Sequence, residues 1–244
     1  MTKTLTLVLG LSLMLTACKQ GDDLFTSYGE ETTVSRKVGD FTKIKAGEKF
    51  DIVLIQDSAK AGDIELTAGK NVIDGYLTEV NNGELYINNS NKFNWVRKLQ
   101  IRQKVVVYFK NLEELQINGS AKFTCADTII SKTRITVKHG GLEDADLLVK
   151  GDYIFVDCTN TGGVNLRGSC FLLSASVDDI SFVNSKNLIA DKCYLNSFSK
   201  DDSYVDGNSV VDIKLYGTGN VYYRSGTNSS VSIDAKGKGK VIKY

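Results

Sequence analysis

The sixteen residues from Ser209, SVVDIKLYGTGNVYYR, and the sixteen from Ser229, SSVSIDAKGKGKVIKY, superpose at a shift of 20 residues with six identities. Ser209 falls on Ser229, Val211 on Val231, Ile213 on Ile233, Gly217 on Gly237, Gly219 on Gly239 and Val221 on Val241. Each phrase reads as a short alternating strand, a tight turn and a second short strand. A unit this small cannot bury an apolar face alone, so its repetition points to stacked coils that cover one another. Degraded copies stand upstream: LEELQINGSAKF (112–123), TRITVKHGGLED (133–144), YIFVDCTNTGGVNL (153–166), FLLSASVDDISF (171–182) and CYLNSFSKDDSYV (193–205).

The expected fold is therefore all-β, a single-stranded parallel β-helix with coils of about 20 residues. A β-sandwich is the alternative, since it also uses short alternating strands, but it requires no sequence echo. Leu115 and Ile117, Ile135 and Val137, Ile154 and Val156, Leu173 and Ala175, Val211 and Ile213, and Val231 and Ile233 are expected to pile into inward columns. No segment keeps a helical period, apart from a short turn expected around 71–76. Proline is absent from all 244 residues, against a common usage of about 5%. A chain of strands paired on both sides has little room for a residue without an amide hydrogen. The Gly-x-Gly pairs are expected to be corners, because a phosphate cradle needs a following helix and neither phrase has one.

MTKTLTLVLGLSLMLTAC opens the chain with Lys3, an apolar run and small residues before Cys18, the layout of a secretory leader. The run is short of the roughly 20 apolar residues that cross a bilayer. Leu15, Thr16, Ala17 and Cys18 resemble the bacterial lipobox, which implies a cleaved signal peptide over 1–17 and a lipid on Cys18. Residues 18–33 then form the lipidated cysteine and a polar tether, and 34–244 the β-helical domain. The KQGDD after Cys18 resembles short export signals of surface lipoproteins, so the expected place is the outer membrane, facing the cell surface or the periplasm.

Losing the leader removes Lys3 and no acid, leaving 29 basic and 29 acidic residues. A neutral chain has no basic excess for nucleic acid, so the membrane partner is reached through the lipid anchor. VSRKVGDFTKIKAGEKFDIVLIQ, NNGELYINNS, WVRKLQIRQKVVVYFKNLEELQINGSAKF and the terminal GTGNVYY and GKGKVI resemble the head GIN domain family of "putative" autotransporter adhesins, common among Bacteroidetes lipoproteins. The resemblance spans 34–244 and implies a right-handed β-helix and surface adhesion. It supplies no catalytic or binding residues. The middle coils depart from its pattern, with Asp or Lys where the family has glycine.

Cys125, Cys158, Cys170 and Cys193 show no C-x-x-C spacing; Cys158 and Cys193 alternate in phase with Val156 and Leu195, as core residues would, and disulfide pairing is left open. His139, the one histidine, lies in VKHGG with no nucleophile motif, and is expected to be a polar turn residue. Acids gather at turns, with Glu143, Asp144 and Asp146 in one, Asp178 and Asp179 in another, and Asp201, Asp202 and Asp206 in a third. Stacked turns would bring such carboxylates together for calcium or glycoside cleavage, although solvated turns explain them equally well. Trp95, in the basic segment NKFNWVRKLQIRQK, is either a sugar-stacking residue or part of a solenoid cap. The triplets DSA (57–59) and DTI (127–129) have the form of short O-glycosylation sites.

The expected function is binding without catalysis, toward a glycan or protein ligand, with Trp95, Asp178, Asp179, Asp201 and Asp202 as candidate contacts and no cofactor or metal. The alternatives are a polysaccharide-active enzyme using the turn carboxylates, or a passive structural envelope protein. An exposed final coil leaves a homodimer through edge pairing open.

Overall fold

The computed structural model describes residues 27–92 and 101–244, so Cys18 and Trp95 lie outside the described residues. The chain is a β-solenoid of about six turns, its strands joined in one continuous sheet. One parallel ladder climbs through β6 (Glu84–Asn89), β2 (Lys43–Ala46), β8 (Glu114–Gly119) and the second halves of β10 (Ile129–Gly141), β11 (Ala145–Cys158), β12 (Val164–Val177) and β13 (Val183–Ser197). It ends in β15 (Val210–Leu215) and β17 (Ser230–Ala235). A second ladder takes in β7 (Gln103–Phe109), β3 (Phe50–Gln56), β9 (Lys122–Cys125) and the first halves of β11, β12 and β13. It continues through β14 (Ser203–Gly207), β16 (Val221–Ser225) and β18 (Val241–Lys243). A third, between them, stacks residues 129–131, 149–151, 168–170 and 188–190.

Alternation along each strand sends every second side chain inward, and the register stacks them. Leu115, Val137, Val156, Ala175, Leu195 and Ile213 form one column, each buried. The expected inward residues Leu115, Ile117, Ile135 and Val137 are all buried, and the 20-residue ruler holds for Ile213 below Ile233, but Leu115 faces Val137 and Ile117 faces His139, a longer step. The irregularity between Ser131 and Arg134 of β10 places three steps of chain opposite the two from Gly151 to Tyr153, which lengthens that coil.

One end of the solenoid is closed by antiparallel strands that the repeat does not announce. β1 (Glu31–Lys37) pairs antiparallel with β4 (Asp63–Gly69), and β4 pairs antiparallel with β7. β5 (Tyr76–Asn81) forms a hairpin with β6 through Asn82 and Gly83, at φ 51° and 75°. Two consecutive left-handed residues make the turn whose twist suits a two-residue hairpin, which Asn-Gly adopts at least cost. Arg36 of β1 donates to the carbonyls of Tyr76 and Ile73 and to Thr78 Oγ1, tying β1 to β5 and to the 3-10 turn Ile73–Gly75, which falls within the turn expected at 71–76. At the other end Val231 and Ile233 of β17 are 39% and 45% exposed, whereas Val211 and Ile213 one coil below are fully covered.

Candidate functional site

The corners of the later coils are uniform. Residues 178–182, 198–202, 216–220 and 236–240 each join two strands in five residues. Their backbone amides are directed into the coil below: Gly217 N donates to Ser197 O at 3.1 Å, Gly219 N to Ser199 O at 3.0 Å, and Gly237 N to Leu215 O at 2.8 Å. With those donors consumed by neighbouring carbonyls, the Gly-x-Gly pairs have none left to cradle an anion.

The acids of these corners act as stitches between coils. Asp178 Oδ1 accepts the Asp179 amide at 2.7 Å, and Asp179 Oδ2 accepts the amide of Asn160 in the coil below at 3.2 Å. Asp201 Oδ1 accepts the Asp202 amide at 2.8 Å, and Asp202 Oδ1 accepts that of Asn220 in the coil above at 2.7 Å. Asn220 Oδ1 in turn accepts from Lys240 N at 3.0 Å, and Asp144 Oδ1 accepts from Gly163 N at 3.0 Å. Carboxylates that take backbone N–H groups hold the corner amides that the strand ladders leave unpaired. Among the described residues no three His, Cys, Asp or Glu side chains gather to hold a metal.

His139 is not a turn residue. It lies inside β10 at 1% exposure, where Nδ1 accepts the Gly141 amide at 3.0 Å and Nε2 meets the Glu143 carbonyl at 2.7 Å. Since Nδ1 is an acceptor, Nε2 carries the proton and donates, so the neutral ring satisfies both contacts. Burial holds its pKa below the ordinary 6.5, against smaller opposing effects from the Glu143 carbonyl and Asp144. A depressed histidine pKa means that the unfolded chain takes up a proton first as the pH falls below about 6.5. Stability is therefore expected to drop from about pH 6.5 down through the lower folded pKa, and His139→Gln to lose that component; urea midpoints of both proteins between pH 7.5 and 5 measure it.

All four described cysteines are free thiols, with Cys158 and Cys193 fully buried in the core columns. Burial raises their pKa values, to about 11 at Cys125 and about 12 at Cys158 and Cys170. Thiols so far from ionising at neutral pH are poor nucleophiles.

Two exposed features escape a strand-by-strand reading of the sequence. On the second ladder, Tyr204 and Tyr222 are register partners with rings stacked at 4.7 Å, and Lys186 Nζ sits 3.4 Å from the Tyr204 centroid. Beside them the buried Asp206 carboxylate accepts from Arg224 and, at 2.6 Å, from Tyr244 Oη. Burial and that carboxylate raise the Tyr244 pKa. Lys186, Asp206 and Arg224 border a groove of about 270 Å³ that runs past Ile189 and Asn208. A periodicity of 18–20 residues would have gathered these side chains, because they sit at matching places on successive coils. A second recess, of about 250 Å³, has Phe41 and Phe109 among its walls, with Asp40 and Lys110 beside them.

The other feature is an aromatic face on the first ladder. Tyr153, Phe155, Phe171 and Tyr194 are 42%, 36%, 44% and 38% exposed on three successive strands, β11, β12 and β13. Arg134 lies 5.7 Å from the Phe155 centroid and Lys192 4.9 Å from that of Phe171, while Tyr153 and Phe171 meet edge to face at 6.1 Å. Large rings left in water on a flat sheet mark a surface suited to contact with another molecule.

A family model described as "Putative auto-transporter adhesin, head GIN domain" matches residues 40–227. Among solved structures, a protein from Bacteroides fragilis described as a "putative adhesin" superposes with a TM-score of 0.83 at 17% identity, over 90% of this chain and 100% of that one. A "putative lipid binding protein" from Parabacteroides distasonis gives 0.67 at 19% identity, over 89% and 99%. A "putative adhesin" from Parabacteroides merdae gives 0.64 at 18% identity, over 90% and 98%. At these identities the likeness shows the fold. No curated protein sequence matches the chain.

Proposed function

The chain belongs to the head GIN domain family of "putative" auto-transporter adhesins, and on that premise we propose that it is a lipid-anchored binding module of the cell envelope. It holds a glycan or protein on its flat strand faces and catalyses no reaction. The observation that carries this is the aromatic face of Tyr153, Phe155, Phe171 and Tyr194, presented on rigid ladder strands and flanked by corners of only five residues. A polysaccharide-cleaving solenoid needs two carboxyls converging across a substrate groove. The corner acids of this chain are instead engaged with backbone amides, which supports binding over cleavage. Cys18 would carry the acyl anchor, and the polar residues after it the tether.

Protease treatment of intact cells expressing the full chain tests the placement. Wild type is expected to sediment with membranes and to be digested from outside, and Cys18→Ala to appear in the soluble fraction. A wild-type chain that resists protease on intact cells and is cut only after lysis would overturn surface display.

A further inference from the structure

We propose that the outward face of β12 is a slot, one ring thick, that takes a pyranose of an extended neutral glycan between Phe155 and Tyr194. The glycan-binding form of the proposed function underlies this site.

The molecule contains its own ruler for the slot. Tyr204 and Tyr222 stand on neighbouring rungs, and their rings stack at 4.7 Å with an interplanar angle of 13°. One rung is therefore one stacking distance, as strand spacing and ring contact together require. Phe155 and Tyr194 stand two rungs apart, each the register partner of Ser174. Their backbones are separated by about 9.6 Å at about 4.8 Å per rung, and the side chain between them ends at a hydroxyl. The row has the spacing of three stacked rings with the middle one missing.

Chemistry around the gap selects what fills it. Leu172 continues the floor at one end, between Tyr153 and Lys192. Ser176 continues it at the other, between Asp157 and Asn196. A pyranose has C–H faces that lie against aromatic rings and an equator of hydroxyls that need donors and acceptors. Ser174, Ser176, Asp157 and Asn196 supply those groups, whereas an inserted aromatic side chain of a protein would leave them unused. Along the floor Lys192 at one end and Asp157 at the other oppose one another, and Arg134 is held against the Phe155 ring from the β10 side, outside the gap, so the gap itself fits an uncharged sugar better than a uronic acid. The slot runs along a strand, and at its Leu172 end the Tyr153–Phe171 ring pair with Lys192 offers a further aromatic surface to the next sugar of the chain.

Affinity electrophoresis of the full chain through gels containing xyloglucan, barley β-glucan or galactomannan tests the slot. Wild type is expected to be retarded by at least one of them. Ser174→Trp, which fills the gap, and Tyr194→Ala, which removes a wall, are each expected to weaken that retardation about fivefold or more. Lys43→Ala, exposed on the same ladder but three rungs from Phe155, is expected to leave it unchanged. If Ser174→Trp does not fold, Tyr194→Ala decides. Retardation of wild type that survives both slot variants overturns the slot and leaves glycan binding standing. No retardation of wild type by any of the three overturns glycan binding, and the slot with it.

Discussion

Gly217→Ala is expected to lower the melting temperature by roughly 6–12 °C, while Thr218→Ala next to it leaves the transition almost unmoved. A Cβ on Gly217 would stand 2.0 Å from the Ser199 carbonyl oxygen and 2.6 Å from the Phe198 carbonyl carbon. Both are backbone atoms of the coil below, so no side chain can rotate aside. The corner has to lift, which stretches the bonds from Thr218 N and Gly219 N to Ser199 O, both 3.0 Å. Overpacking of this kind costs about 3 kcal/mol, and a chain of this length loses about 2–4 °C for each kcal/mol. Thr218 points into solvent, and truncating an exposed side chain without partners changes stability by about 0.5 kcal/mol at most. Thermal unfolding followed by circular dichroism distinguishes the two, and equal melting temperatures would show that the glycine corner is not set by close approach.

The same glycines explain why the solenoid was legible in the sequence. Where coils approach to backbone contact, only glycine fits, so Gly217, Gly219, Gly237 and Gly239 fix the period without reference to packing. The echo fades upstream because the corners there use Asp, whose carboxylates accept amides of the adjacent coil, and Asn and Ser, whose side chains donate to its carbonyls. Such contacts join residues 18–20 apart and have no local signature, so the acids were visible as clusters but not as stitches. The closing end was hidden for another reason. FDIVLIQ and DIELTAG alternate alike, yet β3 runs in a parallel ladder and β4 in antiparallel pairs, since alternation reports which face is buried and not the direction of the partner. His139 was misplaced because the irregular step in β10 shifts it from a corner onto the column of Ile117. The aromatic slot needs the register of three coils at once, 19 residues from Phe155 to Ser174 and 20 from there to Tyr194, a variation that a fixed ruler blurs.

Ile213→Ala and Ile233→Ala should differ severalfold in cost although the sequence marks the two positions as the same. They align at the 20-residue shift and are register partners, one directly above the other. Ile213 is fully buried between Leu195 below and Ile233 above, so truncation leaves a cavity in a column that cannot collapse without shifting two ladders. Such a deletion costs about 2–5 kcal/mol, a fall of roughly 4–20 °C at about 2–4 °C per kcal/mol. Ile233 is 45% exposed and has a partner on one side only among the described residues. Much of its side chain already meets water, so its loss should cost about 1 kcal/mol. Stability in a solenoid is a sum of coils and the interfaces between neighbours, and the end coil has one interface where an inner coil has two. Urea denaturation of the two variants reads the difference directly. Equal losses would mean that β17 is covered in the folded protein as fully as β15, by a second copy paired along its edge or by another partner.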